Sequence, residues 1–312
     1  MIRGTVLVAF LLLVLGSLML GTPFVGINRL FVASGVEYVI VAELRSPRLV
    51  FGLLAGGALG VAGLMLQESL RNPLAVPELL GVSSGSSAAV AICVVTGLTV
   101  PGAPLVPALF GAAVGAALTL VAVKGAVGPE ATLLIGAAVS AALQAVLLAA
   151  AAFTDSRDQG VLVRYLLGSL SGISWDDVTV AGIALAVVMP LAVLCLPALK
   201  VLALGDETAA SAGLNAGRAR VRVLTVASLL IAVIVGFCGP IGWIGFLAPQ
   251  LARLMDAARV WWSLVFGALL VVAADLAART VLYPVELPVG GLTAVVGVGV
   301  GVLLLVRKRV RA

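Results

Sequence analysis

RSPRLVFGLLAGGALGVAGLMLQESLRNPLAVPELLGVSSGSS, residues 45–87, begins with Arg45 and Arg48 on either side of Ser46-Pro47 and then runs apolar over 49–66. A helix rises 1.5 Å per residue, so this run is long enough to cross a hydrocarbon core of ~30 Å. Gly52, Gly56, Gly57, Gly60 and Gly63 recur three and four residues apart and leave one helix face nearly bare. In lipid such a face admits a neighbouring helix backbone, a pattern that serves general helix packing as well as any special contact. The exit is more distinctive. Pro73, in Arg71-Asn72-Pro73-Leu74-Ala75, breaks the helix, Pro77 keeps it from resuming, and LLGVSSG at 79–85 starts a second helix of small residues.

The rest of the chain has the same character. Of 312 residues, 62% are hydrophobic and 11% charged, at a mean hydropathy of +1.25. Soluble domains carry about 25% charged residues. The chain is therefore read as an all-α polytopic membrane protein, a single transmembrane domain over 1–312 with no room for a separate soluble one. Histidine is absent, and Cys93, Cys195 and Cys238 stand far apart in apolar segments, which gives no metal or redox spacing. No nucleophile–base pair, P-loop or dinucleotide fingerprint occurs. No catalytic residue, metal ligand or cofactor site is expected, and the energy for any work must come from a partner or an ion gradient. The net charge of +5 would suggest nucleic acid for a soluble protein, but here the excess of basic residues in cytoplasmic loops accounts for it.

Ten apolar segments follow one another: 6–20, 49–66, 79–98, 105–124, 130–153, a sixth ending at 199, a seventh ending near Cys238, a short eighth around Pro249, then 261–282 and 289–306. The first could be a cleaved signal peptide, but no small-x-small site follows and Pro23 comes at once. Residues 22–44 read as an extramembrane loop with short helical pieces, and 154–177 is the longest polar interval. An even number of spans puts both termini on one side. With that side inward, thirteen Lys and Arg fall inside and six outside (Arg29, Arg45, Arg48, Arg157, Arg164 and Arg279), as expected with both termini cytoplasmic.

The order of motifs resembles the permease subunits of ABC importers for iron chelates and vitamin B12. That family has an L-R-x-P-R start, a glycine-lined helix, a Q-x-x-x-x-N-P-L-A-x-P exit and an L-L-G-V-S-x-G restart. Here they read Leu44-Arg45-Ser46-Pro47-Arg48, then 67–77, then 79–85, and the likeness extends over 45–306. It implies the type II permease fold of ABC importers in the inner membrane of a prokaryote. The implied partners are a second permease copy or homologue, two cytoplasmic ATPases that bind ATP and Mg, and an extracytoplasmic binding protein.

Three groups of residues gain roles from this resemblance. In 202–215, Asp206 can cap a short helix through Ala212 and Gly213 can end it, while the exposed alanines make a smooth knob. An ordinary connecting loop would look similar. The pattern L-A-L-G-[DE]-x-x-A-x-x-x-G is similar to the coupling helices that dock on the ATPases, which implicates Leu204, Gly205, Asp206, Glu207, Ala210 and Gly213. Arg45, Arg48 and Arg279 match outer arginines that meet acids on the binding protein. Asp275 lies four residues before Arg279, so an intrahelical pair is the simpler account. Rim pairs are worth ~0–1 kcal/mol, so loss of one arginine should be mild. Asn72, Pro73 and Leu74 fall where the family narrows its cytoplasmic mouth, and a helix-ending turn explains them equally well. Gly128-Pro129-Glu130 and Gln250 depart from the family, which more often has small hydroxyl residues and histidine there.

The resemblance implies uptake of a ferric siderophore by ATP-driven alternating access, with cobalamin or haem as other cargoes. An ion-gradient-driven secondary transporter is the alternative from another class. It is disfavoured because the spans offer no isolated acid: Asp275 has Arg279, and Glu68 sits at a membrane edge.

Overall fold

The computed structural model describes residues 2–29, 35–102, 105–123, 129–153, 166–255 and 258–311. Lys124, Gly128, Arg157 and Arg164 lie outside them, as do the side chains of Pro129, Glu130 and the C-terminal basic residues. Among the described residues every regular element is helical. In order these are α1 (Ile2–Met19), a 3-10 turn (Ile27–Arg29), α2 (Val36–Val39), a π-helical stretch (Ile40–Arg45), α3 (Ser46–Ser69), a 3-10 turn (Pro77–Leu80), α4 (Val82–Thr96), α5 (Leu105–Val123) and α6 (Pro129–Ala152). Then come α7 (Trp175–Leu202), α8 (Asp206–Ser211), α9 (Ala216–Cys238), α10 (Ile244–Ala252), α11 (Arg259–Thr280) and α12 (Val289–Arg311).

Each of the ten apolar segments meets a helix. Six stretches, Val36–Ser69, Leu105–Ala122, Ala131–Ala152, Trp175–Leu202, Ala216–Cys238 and Arg259–Thr280, are long and apolar enough to cross a bilayer. Gly4–Met19, Val82–Thr96 and Val289–Val300 are shorter apolar helices. The nine-residue α10 is far too short to cross alone. It completes a crossing with the non-helical residues 239–243 before it. Phe237 stacks edge-on against Phe51 near the start of α3, whereas Arg253, just past α10, reaches Gln67 near the end of α3.

One expectation changes. Residues 36–45 are helical and run into α3, where the sequence suggested a loop with short helical pieces. Pro47 lacks an N–H and its ring crowds the carbonyl four residues back, yet the chain widens into a π turn instead of breaking. The Ser46 hydroxyl donates to Val41 O at 2.7 Å and fastens this turn.

The buried helix α3 is the axis. A β-carbon at Gly56 would overlap the Gly267 carbonyl, and one at Gly60 the Ser263 carbonyl, so α3 and α11 touch backbone to backbone. Gly63 meets the Gly245 carbonyl of α10 in the same way. The bare glycine face is thus used, and its partners are α11 and α10. Contacts also fix directions. Arg48 of α3 and Arg279 of α11 share Asp275, so α3 starts where α11 ends. α1 ends at this same pole, and Trp175 at the start of α7 donates to Ala42 O at 2.8 Å. The opposite pole holds the ends of α3 and α7, the start of α9, and α8.

Candidate functional site

At the first pole all three sequence-predicted arginines converge, with their side chains turned inward. Arg45 is buried and donates to Leu18 O (2.7 Å), Met19 O (3.1 Å) and Pro23 O (2.7 Å), closing the C-terminal end of α1. Arg48 donates through Nε to Asp275 Oδ1 at 2.8 Å and through Nη1 to Glu286 Oε2 at 3.0 Å. Arg279 donates to the carbonyl and hydroxyl of Ser17 and lies 3.7 Å from Asp275 Oδ2. The Arg279–Asp275 pair expected along the helix exists, but Asp275 is held more tightly by Arg48. A cavity of about 210 Å³ opens among these three arginines, Thr22, Tyr283 and Glu286.

At the other pole the segment 202–215 does contain a short helix, α8. Gly205, at φ +119°, takes the N-cap position without a side-chain bond. Asp206 enters the first turn and accepts from Arg220 Nη2 at 2.7 Å, so it does not cap as the sequence suggested. Gly213 (φ +74°) ends the helix as expected: its N–H donates to Ala210 O (2.9 Å) and that of Leu214 to Ala209 O (2.8 Å). Leu204, Glu207 and Ala210 are exposed and form a ledge. Arg220, missed in the sequence among ordinary membrane-edge arginines, also donates to Ser69 O at 3.1 Å. It therefore joins α8 and α9 to the end of α3.

The turn at Asn72-Pro73-Leu74 is built by a different residue than expected. Arg71, at φ +49°, occupies the left-handed position that ends α3, two residues before the proline. The Asn72 N–H reaches back to Gln67 O at 3.0 Å, and its side chain accepts from Leu74 N at 2.8 Å. Gln250 donates to Pro73 O at 2.7 Å, which ties α10 to this turn.

The third place was not anticipated. Chain 77–81, between α3 and α4, is stapled by hydroxyls: Ser140 donates to Glu78 O at 2.6 Å and accepts from Gly81 N at 3.0 Å, and Thr119 donates to Leu80 O at 2.9 Å. Pro77 packs on Gly245 at the start of α10, so the connector before α4 lies against α10, and the starts of both helices border one cavity. There a cavity of about 400 Å³ is lined by Glu78, Ser83, Ser84, Ser87, Ser140 and Gln144, with Trp243 and Gly290 among the others. Oε2 of Glu78 is buried with no hydrogen-bond partner among the described residues. Burial pushes the carboxyl up from its ordinary 4.5 to about 7, opposed by backbone N–H donation from Glu78 itself and Trp243. The signal was present as the one acid inside an otherwise uncharged PELLGVSSGSS, but it follows a proline in a connector, where acids are usually solvated. Among the described residues no group of three or more His, Cys, Asp or Glu could hold a metal ion.

Residues 8–307 match the model of the FecCD transport family. The chain is 35% identical over 279 residues to the Fe(3+) dicitrate transport system permease protein FecD of Escherichia coli, covering 88% of this chain and 87% of that one. It is 36% identical over 282 residues to the vitamin B12 import system permease protein BtuC of Vibrio cholerae, covering 88% and 85%. In fold it is similar to a solved metal-chelate type ABC transporter in an inward-facing conformation, with a TM-score of 0.84 at 24% identity, covering 98% of this chain and 99% of the other.

Proposed function

The chain belongs to the FecCD transport family, and from that premise we propose that it is the permease subunit of a binding-protein-dependent ABC importer. Its cargo is a ferric siderophore, moved by ATP-driven alternating access. The observation that carries this reading is α8, an exposed ledge tied by Arg220 to the end of α3 and the start of α9. Those two helices lead to the two turns, 77–81 and 239–243, that meet at the Glu78 cavity. A push on Leu204, Glu207 or Ala210 therefore has a rigid route to a polar interior space. Paired starts of interrupted helices around a cavity are where transporters commonly hold cargo.

In this reading the α8 pole and both termini face the cytoplasm, where two ATPase subunits bind ATP and Mg and dock on α8. The chain has no ATPase site of its own. Asn72, Pro73 and Leu74 border the cytoplasmic gate. The arginine pole faces outward and presents its positive field to the binding protein, and a second copy or homologue completes the pathway. Near-equal identity to a ferric dicitrate permease and a vitamin B12 permease supports a large chelate as the cargo class. Cobalamin and haem stand next to the siderophore.

One observation favours a second reading. Glu78 is the kind of isolated interior acid that an ion-gradient-driven transporter would use. Purified subunit in liposomes, with and without its co-purified ATPases, separates the two. Uptake of ferric chelate that needs ATP and the ATPases is expected. Accumulation under a proton or sodium gradient with no ATPase present would replace the first reading with the second.

A further inference from the structure

Next to α8, a cavity of about 360 Å³ is lined by Arg71, Arg253, Arg259 and Glu68. It adjoins a groove of about 860 Å³ between α3, α7 and α11, and the two share Glu68, Ala203 and Arg259. The groove walls are apolar, with Leu64 from α3, Val193 and Leu196 from α7, and Leu264 from α11. Lys200, Arg259 and Trp261 stand where the groove meets the pole.

The charges there do not balance among the described residues. Among the described lining residues, Arg71, Arg253, Arg259 and Lys200 make four cations against the one carboxylate of Glu68. Glu68 is shared, at 3.6 Å from Arg253 and 3.5 Å from Arg259. Arg71 reaches Asp206 at 3.7 Å, but Arg220 holds that carboxylate at 2.7 Å. The Arg259 side chain is 59% exposed, with one long contact to Glu68. A partner with several anionic oxygens at this end and a long apolar body along the groove is complementary to both halves.

We infer that this groove and its basic end form a binding site for one anionic phospholipid, its phosphate among Lys200, Arg259, Arg71 and Arg253 and an acyl chain along α3, α7 and α11. Planar guanidinium groups suit phosphate oxygens, and basic pockets between membrane helices suit anionic headgroups. Trp261 sits at the polar–apolar boundary, where indoles concentrate. A free anion would leave the apolar groove without a complement. The lipid would rest against Leu204 and Arg71, immediately beside α8, so its occupancy would stiffen the coupling ledge.

The full-length chain, assembled with its ATPases in phosphatidylcholine vesicles, provides the test. Phosphatidylglycerol brominated on its acyl chains should quench tryptophan fluorescence more than equally brominated phosphatidylcholine. Trp261→Phe should abolish the difference. Lys200→Ala with Arg259→Ala should lower the anionic preference on the order of tenfold, while Lys200→Arg should keep it. Excess inorganic phosphate should not compete. Equal quenching by the two lipids in the unsubstituted protein, or a preference untouched by the double substitution, would overturn the site. Displacement by phosphate would make it a free-anion site instead. Preference in the isolated subunit that vanishes on ATPase assembly would show that protein, not lipid, covers the groove.

Discussion

Glu78 is half-buried on the cavity wall, with one carboxyl oxygen buried and unpartnered among the described residues, and its folded-state value, about 7, lies above the ordinary 4.5. The folded protein therefore binds the proton more tightly than the unfolded chain. The stability that the neutral form contributes is complete below pH 4.5 and is lost as pH rises through about 7, on the order of 3 kcal/mol in total. Glu78→Gln keeps an acceptor for the Trp243 N–H and cannot ionise. Thermal unfolding in detergent should thus fall between pH 5 and 8 for the unsubstituted protein and stay flat over that window for the variant. A parallel fall in both would mean that some other group titrates. The arginine pole calls for different probes than the sequence suggested. Arg45→Ala would strip Leu18 O and Pro23 O of the Arg45 donor, at about 1–3 kcal/mol for each that stays dry, while Met19 O keeps the Val25 N–H, so the loss of this arginine should cost stability whatever it does to docking. Glu286, 45% exposed, is the accessible member. Glu286→Gln removes one negative charge beside Arg48, which keeps its pair with Asp275, and should tighten binding-protein association severalfold, more at low salt than at high. Unchanged association at every salt concentration would remove this pole as the docking surface.

At the scale of elements, α8 separates two substitutions that look alike in the sequence. Gly205 is buried at φ +119°, with Arg71 3.4 Å from where a β-carbon would stand, so a bulky residue there distorts the backbone itself. Ala210 is exposed on the ledge, so Ala210→Trp leaves α8 intact and blocks only what docks on it. Membrane insertion and ligand-independent folding should survive, with ATP-driven uptake falling at least tenfold. Full uptake would take the docking role away from α8. Much of this was legible because its causes are local: apolar run length, glycine spacing, and Gly213 as a left-handed stop. The unread parts depend on partners far apart in the chain. Asp206 could cap its own helix, and only the arrival of Arg220 on α9 decides otherwise. Arg71 ends α3 because Asn72 can reach Gln67, a choice that propensity assigns to glycine. The Arg45 side chain was read as facing a partner, since nothing in 45–48 reveals that α1 ends beside it. Glu78 became an interior acid only when α4, α6 and the start of α10 closed over a connector.

Across the whole molecule, the arginine pole and the α8 pole are joined by the paired helices α3 and α11, whose backbones touch at Gly56–Gly267 and Gly60–Ser263. Contacts of this kind have no side chain to yield, so the pair transmits displacement as one body. An event at Arg48–Asp275, where the two helices are also ion-paired, is thereby felt at Glu68 and Ser69, next to Arg220 and α8. This predicts that the pair carries the signal from a docked binding protein to the ATPases. Gly60→Val would wedge the Ser263 carbonyl away, at about 1–3 kcal/mol for overpacking, and loosen the pair in the middle without touching either pole. The assembled variant should still bind both the binding protein and the ATPases, yet stimulation of ATP hydrolysis by the binding protein should drop severalfold. Gly57→Ala provides the control, because its β-carbon would meet the flexible Leu264 side chain at 3.2 Å and the pair can stay closed. If Gly60→Val keeps full stimulation while Gly57→Ala behaves normally, the signal travels by another route, and the α7 and α9 connections to α8 become the next to cut.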